Sequence, residues 1–480
     1  MTSSTSPRPY RRLAAALTVT AVAAVIAIGS PAQAVDRPSS TVAMTPALKS
    51  QIQQKVQEFQ QTYGAPGVSV AVVMPDPSGS GSEITTFAVG VPSLDSPTEV
   101  DASTQFELGS ETKVFTADLL AALVAENRVS LDDPVQNYAP PGITVPVWTE
   151  GGTSTPITLR DLATHQAGLP DMPGNLERGC DGVAGCVNPR PGYTQKMLWN
   201  ALQNQTLLWQ PGTNWLYSDW GFGLLGTILS NIAVPGPETD PPAFQAALDA
   251  AFLTPLGMSS TMLEGAPNPR LATPYIGKPP TATWYWDNTN ALSGGGGLIS
   301  NATDMGTWVA AHLGTFPSGS PSGVLSLPTT LQPVSAITTS CTKPDSCSPA
   351  DFHMGLGWVL NPAQVSDVGV PWAFKNGQTQ GSTTDTALAP GLGIGVTTMS
   401  NLKHVQGEQL AVPLLAMIVA AQTASPTTPE PTPSSTPTAE GLALSGPAMI
   451  VTAAVVAAAA LLSLGIVLLV RHRRAHDGTP

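Results

Sequence analysis

Apolar positions recur at helical spacing where Ser110 is followed by Phe115, Leu119, Leu120, Leu123 and Val124, with no Gly or Pro until Pro134. That pattern predicts an amphipathic helix beginning near Ser110. Thr45 to Tyr63 reads as an opening helix, and the run Gly67-Val-Ser-Val-Ala-Val-Val73 reads as a buried strand with Glu83 to Val89 as its hairpin partner. Far along the chain, Trp372 to Gly377, Asp385 to Ala389 and Gly393 to Ser400 predict three strands in a meander, closed by a helix over Glu408 to Ala421. Five strands drawn from the two ends would form one mainly antiparallel sheet. The helix after Ser110 would pack on it.

Between these lie weaker signals. Ile157 to Pro170 predicts a short helix stopped by Gly168 and Pro170, Asn214 to Gly226 leads into a helix ending near Ile232, and Pro255-Leu-Gly-Met258 reads as a helix end. The glycine run Gly294 to Gly297 lacks the Gly-Lys-Ser/Thr of a phosphate loop. It is better read as a close approach leading to a helix capped near Asn301.

Both ends of the chain differ from its middle. Arg8 to Arg12, the apolar run Leu13 to Ile28 and the small-residue site Ala32-Gln-Ala34 have the three parts of a secretory signal peptide, so residues 1–34 are expected to be removed. Residues 35–421 form the expected globular part, roughly 385 residues, more than one core usually serves, so two subdomains are expected. Residues 422–447 form a Pro/Thr/Ser-rich linker, whose stretch from Gln422 to Glu440 could span roughly 60 Å at polyproline rise. Ala448 to Val470 gives 23 residues without a charge, followed by Arg471-His-Arg-Arg474. This predicts a transmembrane helix over 448–470 and a cytoplasmic basic tail over 471–480, with the large domain on the outer side.

The 480 residues carry a formal net charge of -13, but residues 35–470 alone hold 14 basic against 32 acidic residues. A surface that acidic repels nucleic acid and anionic lipid, which excludes a nucleic-acid partner. The four cysteines fall in two close pairs, Cys180/Cys186 and Cys341/Cys347. In an exported chain such pairs most simply close two short disulfide loops, although four cysteines allow three connectivities. Zinc is disfavoured, since neither pair has Cys-x-x-Cys spacing and only His353 lies nearby.

The chemistry concentrates at Ser110-Glu-Thr-Lys113. A serine hydroxyl is a poor nucleophile at neutral pH, and a lysine one helical turn later supplies a neighbouring base or cation. Taken alone, the motif also fits a helix start with Ser110 as cap and Lys113 in solvent. His165 could be a general base, but beside a helix end it is more simply a structural hydrogen-bonding group. Tyr217 in isolation would be an interface aromatic with its hydroxyl bonded.

Taken in order, Ser110-Glu-Thr-Lys113, Tyr217-Ser-Asp219 and Lys375-Asn-Gly377 resemble the three motifs of the serine β-lactamase and D-alanyl-D-alanine carboxypeptidase superfamily. The likeness is strongest to class C β-lactamases and low-molecular-weight penicillin-binding proteins, and it runs from about Thr45 to Ala421. Thr164 to Pro170, Pro255 to Met258, Gly296 to Ser300 and Gly355-Leu-Gly-Trp358 also look like the family. The resemblance implies an α/β fold, an antiparallel sheet flanked by helices plus an all-helical subdomain, with a cleft between. It implies Ser110 as nucleophile, Lys113 assisting its deprotonation, and Tyr217 as base or proton shuttle. Lys375 would supply charge for a substrate carboxylate and hold down the tyrosine pKa. The backbone N–H groups of Ser110 and Gln378 would form the oxyanion hole, with Asp219, Asn376 and Gly377 completing the substrate side. No metal or cofactor is implied.

Two positions depart from the family pattern: Asp219 stands where Asn is usual, and Asn376 where Thr is usual. A carboxylate beside Lys113 favours its charged form and removes an amide donor toward substrate. The expectation is therefore an exported, membrane-anchored serine hydrolase forming an acyl-enzyme, a D-alanyl-D-alanine carboxypeptidase or peptidase on cell-wall peptides. A β-lactamase or esterase of the same fold is the alternative, and a penicillin- or wall-binding module without turnover is the alternative of another class.

Overall fold

A computed structural model of the chain describes residues 43–176, 192–234, 243–263, 268–277, 280–282, 290–361, 368–403 and 410–423. The signal peptide, the Cys180/Cys186 pair, the linker, the membrane span and the basic tail expected from the sequence lie outside the described residues. No helix among the described residues is long and apolar enough to cross a membrane.

The first helix, α1 (Pro46–Tyr63), starts where Thr45 accepts from the Leu48 N–H at 3.1 Å and ends at Gly64 in the left-handed region. Its buried stripe is Leu48, Ile52, Val56 and Phe59. The main sheet contains β1 (Gly67–Pro75), β2 (Ser82–Gly90), β3 (Trp215–Leu216), β4 (Ser335–Lys343), β5 (Ser346–Met354), β6 (Val359–Asn361), β7 (Trp372–Gln378), β8 (Thr383–Ala389) and β9 (Ile394–Ser400). Their order is β2-β1-β9-β8-β7-β6-β5-β4-β3. Every pair is antiparallel except the short β3, which runs parallel to β4 with Trp215 opposite Ser340 and Leu216 opposite Cys341.

The predicted five strands are present, and four more extend the sheet. The Cys341/Cys347 pair, expected to close a short disulfide loop, does form a disulfide, but within the β4–β5 hairpin, where the two cysteines face each other.

Alternation along the strands divides the interior in two. On one face Val68, Val70, Val72, Ala387, Ala389, Ile394 and Val396 pack under α1 and the closing helix α7 (Ala411–Thr423). The other face meets α6 (Ala302–His312) and belongs to a second core shared with α2 (Thr112–Ala125), α3 (Leu159–Ala163), α4 (Gln195–Gln203) and α5 (Asp219–Ala233). The family fold expected from the motifs is thus present.

The helix α2 is not amphipathic. Every residue from Thr112 to Leu123 is buried, because the helix is enclosed by α5, by residues 293–295 and 322–331, and by Trp308, on which Phe115 stacks. Its one interior acid, Asp118, accepts from Trp308 Nε1 at 2.9 Å and lies 3.0 Å from His312 Nε2, which ties α2 to α6. As the sequence predicts, Asn301 caps α6, accepting from the Asp304 N–H at 2.9 Å. The α3 helix ends at Ala163, earlier than Gly168, because His165 takes φ +59°, a left-handed conformation that an α-helix cannot continue through.

Candidate active site

A short 3₁₀ turn, Gly109–Glu111, precedes α2 and presents Ser110 partly exposed while its neighbours Gly109 and Glu111 are buried. Two glycines make that presentation possible. Gly109 sits at φ +51°, and a Cβ there would lie 2.7 to 2.9 Å from backbone atoms of Gln378. A Cβ on Gly377 would lie 1.8 Å from the Leu108 carbonyl oxygen. The end of β7 therefore abuts the turn that carries the serine, and the Gln378 backbone reaches the Gly109–Ser110 peptide.

Lys113, one turn along α2, is wholly buried, and its ammonium has three N–H donors to satisfy. They go to Ser110 Oγ at 3.1 Å, Asp219 Oδ1 at 2.5 Å and the Gly295 carbonyl at 2.5 Å. The glycine run thus delivers a carbonyl to the lysine, in keeping with a close approach rather than a phosphate loop. Asp219 opens α5, behind Ser218, whose hydroxyl caps that helix by accepting from Gly221 N–H at 2.9 Å. Tyr217, at the end of β3, donates its hydroxyl to Ser110 Oγ at 2.5 Å, and its ring lies under the Lys113 ammonium, 4.7 Å from Nζ.

The buried Lys375 on β7 has its Nζ 5.7 Å from the Tyr217 ring centroid and donates to the Asn376 carbonyl at 2.5 Å. Burial, with the like charge of Lys113, pushes its pKa down to about 7, against the pull of Glu111 and Asp219. Burial raises the Tyr217 phenol well above its ordinary value, and the Asp219 charge adds to this. Holding down the tyrosine pKa, the effect expected of Lys375, is therefore overridden.

Ser110, Lys113, Tyr217, Asp219 and Lys375 come together, and Gly377 and Gln378 border them. Asn376 does not join them through its side chain. Strand alternation turns it to the face of Trp372 and Phe374, opposite Lys375, so it contributes its carbonyl instead.

His165 is structural. Its Nδ1 accepts from the Ser218 N–H at 3.1 Å, its carbonyl accepts from Leu216 N–H at 2.9 Å, and its ring packs 4.6 Å from that of Tyr217. Burial and the charges of Lys113 and Lys375 push its pKa well below the usual 6.5, so the ring is neutral.

Two residues escaped the sequence reading. Asp171 accepts from the Asp219 N–H at 3.2 Å at the start of α5 and adds its charge near Tyr217. Glu111, inside the first motif, is fully buried, and its pKa is raised to about 7 by that burial. The signal in the sequence was an acid next to Ser110, just before a mostly apolar helix.

Among the described residues no group of three or more His, Cys, Asp or Glu could hold a metal ion. The arrangement can accept, hold and return a proton at Ser110 Oγ while the hydroxyl attacks an acyl carbon.

Comparison with known proteins agrees with this geometry. The chain is 30% identical to the D-alanyl-D-alanine-carboxypeptidase/endopeptidase AmpH of Escherichia coli over 296 residues, 60% of this chain and 68% of that protein. It is 29% identical to a beta-lactamase of Lysobacter lactamgenus over 46% of this chain and 49% of that one. Among solved structures, a beta-lactamase/D-alanine carboxypeptidase from Yersinia pestis matches with a TM-score of 0.60 at 23% identity, over 79% of this chain and 99% of that one. A class C beta lactamase from Rhodobacter sphaeroides matches at 0.58 and 21%, over 76% and 98%. The beta-lactamase family profile covers residues 52–420. With a profile match across most of its length and a serine, lysine and tyrosine converging on one oxygen, the chain belongs to the beta-lactamase family and is a serine hydrolase of that fold.

Proposed function

We propose that Ser110 is the nucleophile of a D,D-peptidase that forms an acyl-enzyme on cell-wall peptides. The observation that carries this reading is the double approach to one oxygen: Lys113 Nζ at 3.1 Å and Tyr217 OH at 2.5 Å from Ser110 Oγ. In the resting arrangement both groups donate to the hydroxyl, so reaction begins when Lys113 loses a proton to solvent. The resulting amine takes the Ser110 proton as Oγ bonds to the acyl carbon, and the Tyr217 hydroxyl protonates the departing nitrogen. Lys113, again an ammonium, then restores the tyrosine proton. The backbone N–H groups of Ser110 and Gln378 would face the oxyanion, where loss of one donor typically costs about 3 kcal/mol.

A relative 30% identical over 296 residues is a D-alanyl-D-alanine-carboxypeptidase/endopeptidase, which supports the peptide over the β-lactam as substrate. Asp219, ion-paired with Lys113, points the same way, because an amide donor toward the substrate is absent. The same feature favours esters as a second substrate class. Turnover of a chromogenic ester against a chromogenic cephalosporin separates them.

Export and anchoring are part of the proposal: residues 1–34 as leader, 422–447 as stalk, and 448–470 as a membrane helix whose basic flank Arg471 to Arg474 stays inside. Such a stalk would hold the site near the wall.

Mass spectrometry of the intact chain after penicillin treatment tests the chemistry. One acyl adduct on Ser110, absent in Ser110→Ala, is expected. An adduct elsewhere, or none, overturns the assignment.

A further inference from the structure

Glu111 has no place in the chemistry above, yet it occupies the most expensive position in the site. Its side chain is fully buried, and neither carboxyl oxygen receives a hydrogen bond. The nearest hydroxyls, those of Thr386 and Thr384, favour its charged form, although each donates its own proton elsewhere. Thr384 Oγ1 donates to the Leu108 carbonyl at 3.0 Å and Thr386 Oγ1 to Thr397 Oγ1 at 2.8 Å. An unpaired buried acid is costly unless a charge answers it.

The sheet register identifies that charge. Lys375 lies directly opposite Thr386, and Gly377 opposite Thr384, so all four residues share one face of β7 and β8. Glu111 meets that face from the turn above, where a Cβ on Gly377 would lie 3.0 Å from the Glu111 N and 2.6 Å from Thr384 Oγ1, and among the described residues Lys375 is the only charge that acts on it there. The other charged or titratable groups around the pair are accounted for. Lys113 is saturated by Ser110, Asp219 and Gly295, Asp219 is bound to Lys113, and Tyr217 donates to Ser110. His165 is neutral, Asp171 holds the Asp219 N–H, and Asp385 sits on the opposite face, where Thr398 donates to it at 3.1 Å.

We infer that Glu111 is the buried counter-ion of Lys375, a positioning residue that holds the lysine in its ammonium form beside the catalytic hydroxyl. The two groups would then titrate as one unit rather than as an independent acid and base. Burial displaces both proton affinities toward neutrality, and the attraction between the two charges opposes that displacement on each side. The inference rests on Ser110 being the acylated residue only for its kinetic readout.

The kinetic test is the rate of labelling of the full chain by a fluorescent penicillin across pH 5 to 9, wild type against Glu111→Gln. Without its counter-ion Lys375 loses its proton at lower pH, so the alkaline limb should move down by at least about one unit, a ~10-fold loss at pH 8 with little change at pH 6. A merely structural role would lower the rate evenly across pH, and a folded variant with an unmoved limb overturns the inference. If wild type is not labelled at all, the assignment of Ser110 fails instead.

The second measurement needs no variant. In the wild-type chain, with ¹⁵N-labelled lysine, one buried carboxyl, read by its infrared band, should lose its proton at a lower pH than one buried lysine amine does, leaving a window in which both are charged. A buried lysine that loses its proton before that carboxyl does overturns the inference.

Discussion

The two faces of the main sheet solve different problems with the same strands. Under α1 and α7, Val68, Val70, Val72, Ala387, Ala389, Ile394 and Val396 form an apolar layer closed by Leu414, Leu415 and Ile418. Around the start of α2, the same β7 and β8 turn Lys375, Thr384 and Thr386 toward Glu111, Lys113 and Tyr217. The first layer is held by burial alone, so it answers to volume. The second holds charge out of water and answers to the pairing of each group. Substitutions on the first should therefore change stability and leave the chemistry of folded molecules alone, whereas those on the second should change the chemistry, and stability where they unpair a buried group.

The largest contrast is expected from Ser110→Ala. Ser110 is partly exposed and its hydroxyl accepts from Lys113 and Tyr217, so the thermal midpoint should fall only a little while hydrolysis falls by at least about 10³-fold, some 4 kcal/mol of barrier. A chromogenic substrate and a melting curve on the same sample read both. Loss of folding together with activity would erase the distinction. The counterpart on the other face is Leu414→Ala. Leu414 is completely buried, and its truncation should cost about 3 kcal/mol in denaturant unfolding while kcat per folded molecule stays put. A changed kcat would mean that the layers are coupled.

These two layers were unequally legible in the sequence. The apolar face could be read directly, because Gly67 to Val73 and Gly393 to Ser400 carry continuous or alternating apolar residues. The Ser110, Tyr217 and Lys375 motifs could be read because each is local, and their glycines and caps sit at fixed offsets. What failed was non-local. The strands β4 and β5, Ser-Ala-Ile-Thr-Thr-Ser-Cys-Thr-Lys and Ser-Cys-Ser-Pro-Ala-Asp-Phe-His-Met, alternate weakly because they lie largely exposed, and their partners are a hairpin and the distant β3. Glu111 could not be understood from its neighbours in sequence, since the residues that give it meaning lie some 265 to 275 positions away on β7 and β8. The facing of Asn376 was illegible for the same reason: facing is a property of register, and register is set by β8.

A smaller effect, and a sharper one, is expected from Asp219→Asn. The Lys113–Asp219 ion pair, 2.5 Å between Nζ and Oδ1 with the lysine wholly buried, holds the ammonium and delays the amine that Ser110 needs. With the amide in place, penicillin acylation at pH 7 should rise by about 10-fold, while stability falls because a buried cation has lost its partner. Stopped-flow labelling and a melting curve give the two signs. An unchanged acylation rate would remove Asp219 from the account of why this site differs from its relatives.

The smallest effect should come from His165→Asn. Asn tolerates the left-handed φ of +59° better than most residues, and its side-chain oxygen can still accept from the Ser218 N–H. Activity should fall by no more than about 3-fold, and the profile of kcat/KM between pH 6 and 7 should keep its shape, because a ring already neutral contributes no limb there. Stability carries the sign that separates the two chains. In the unfolded chain the imidazole gains a proton below its ordinary value of 6.5, while in the folded chain burial keeps it neutral to much lower pH. The unfolded state therefore binds more protons below 6.5, and wild type loses stability progressively as pH falls beneath that value. The Asn variant has no such proton to bind, so its deficit against wild type, measured by denaturant unfolding at pH 7.5, should shrink at pH 5.5. A deficit that grows on acidification would mean that His165 is charged in the fold, and the second layer would then hold one more cation than its acids can answer.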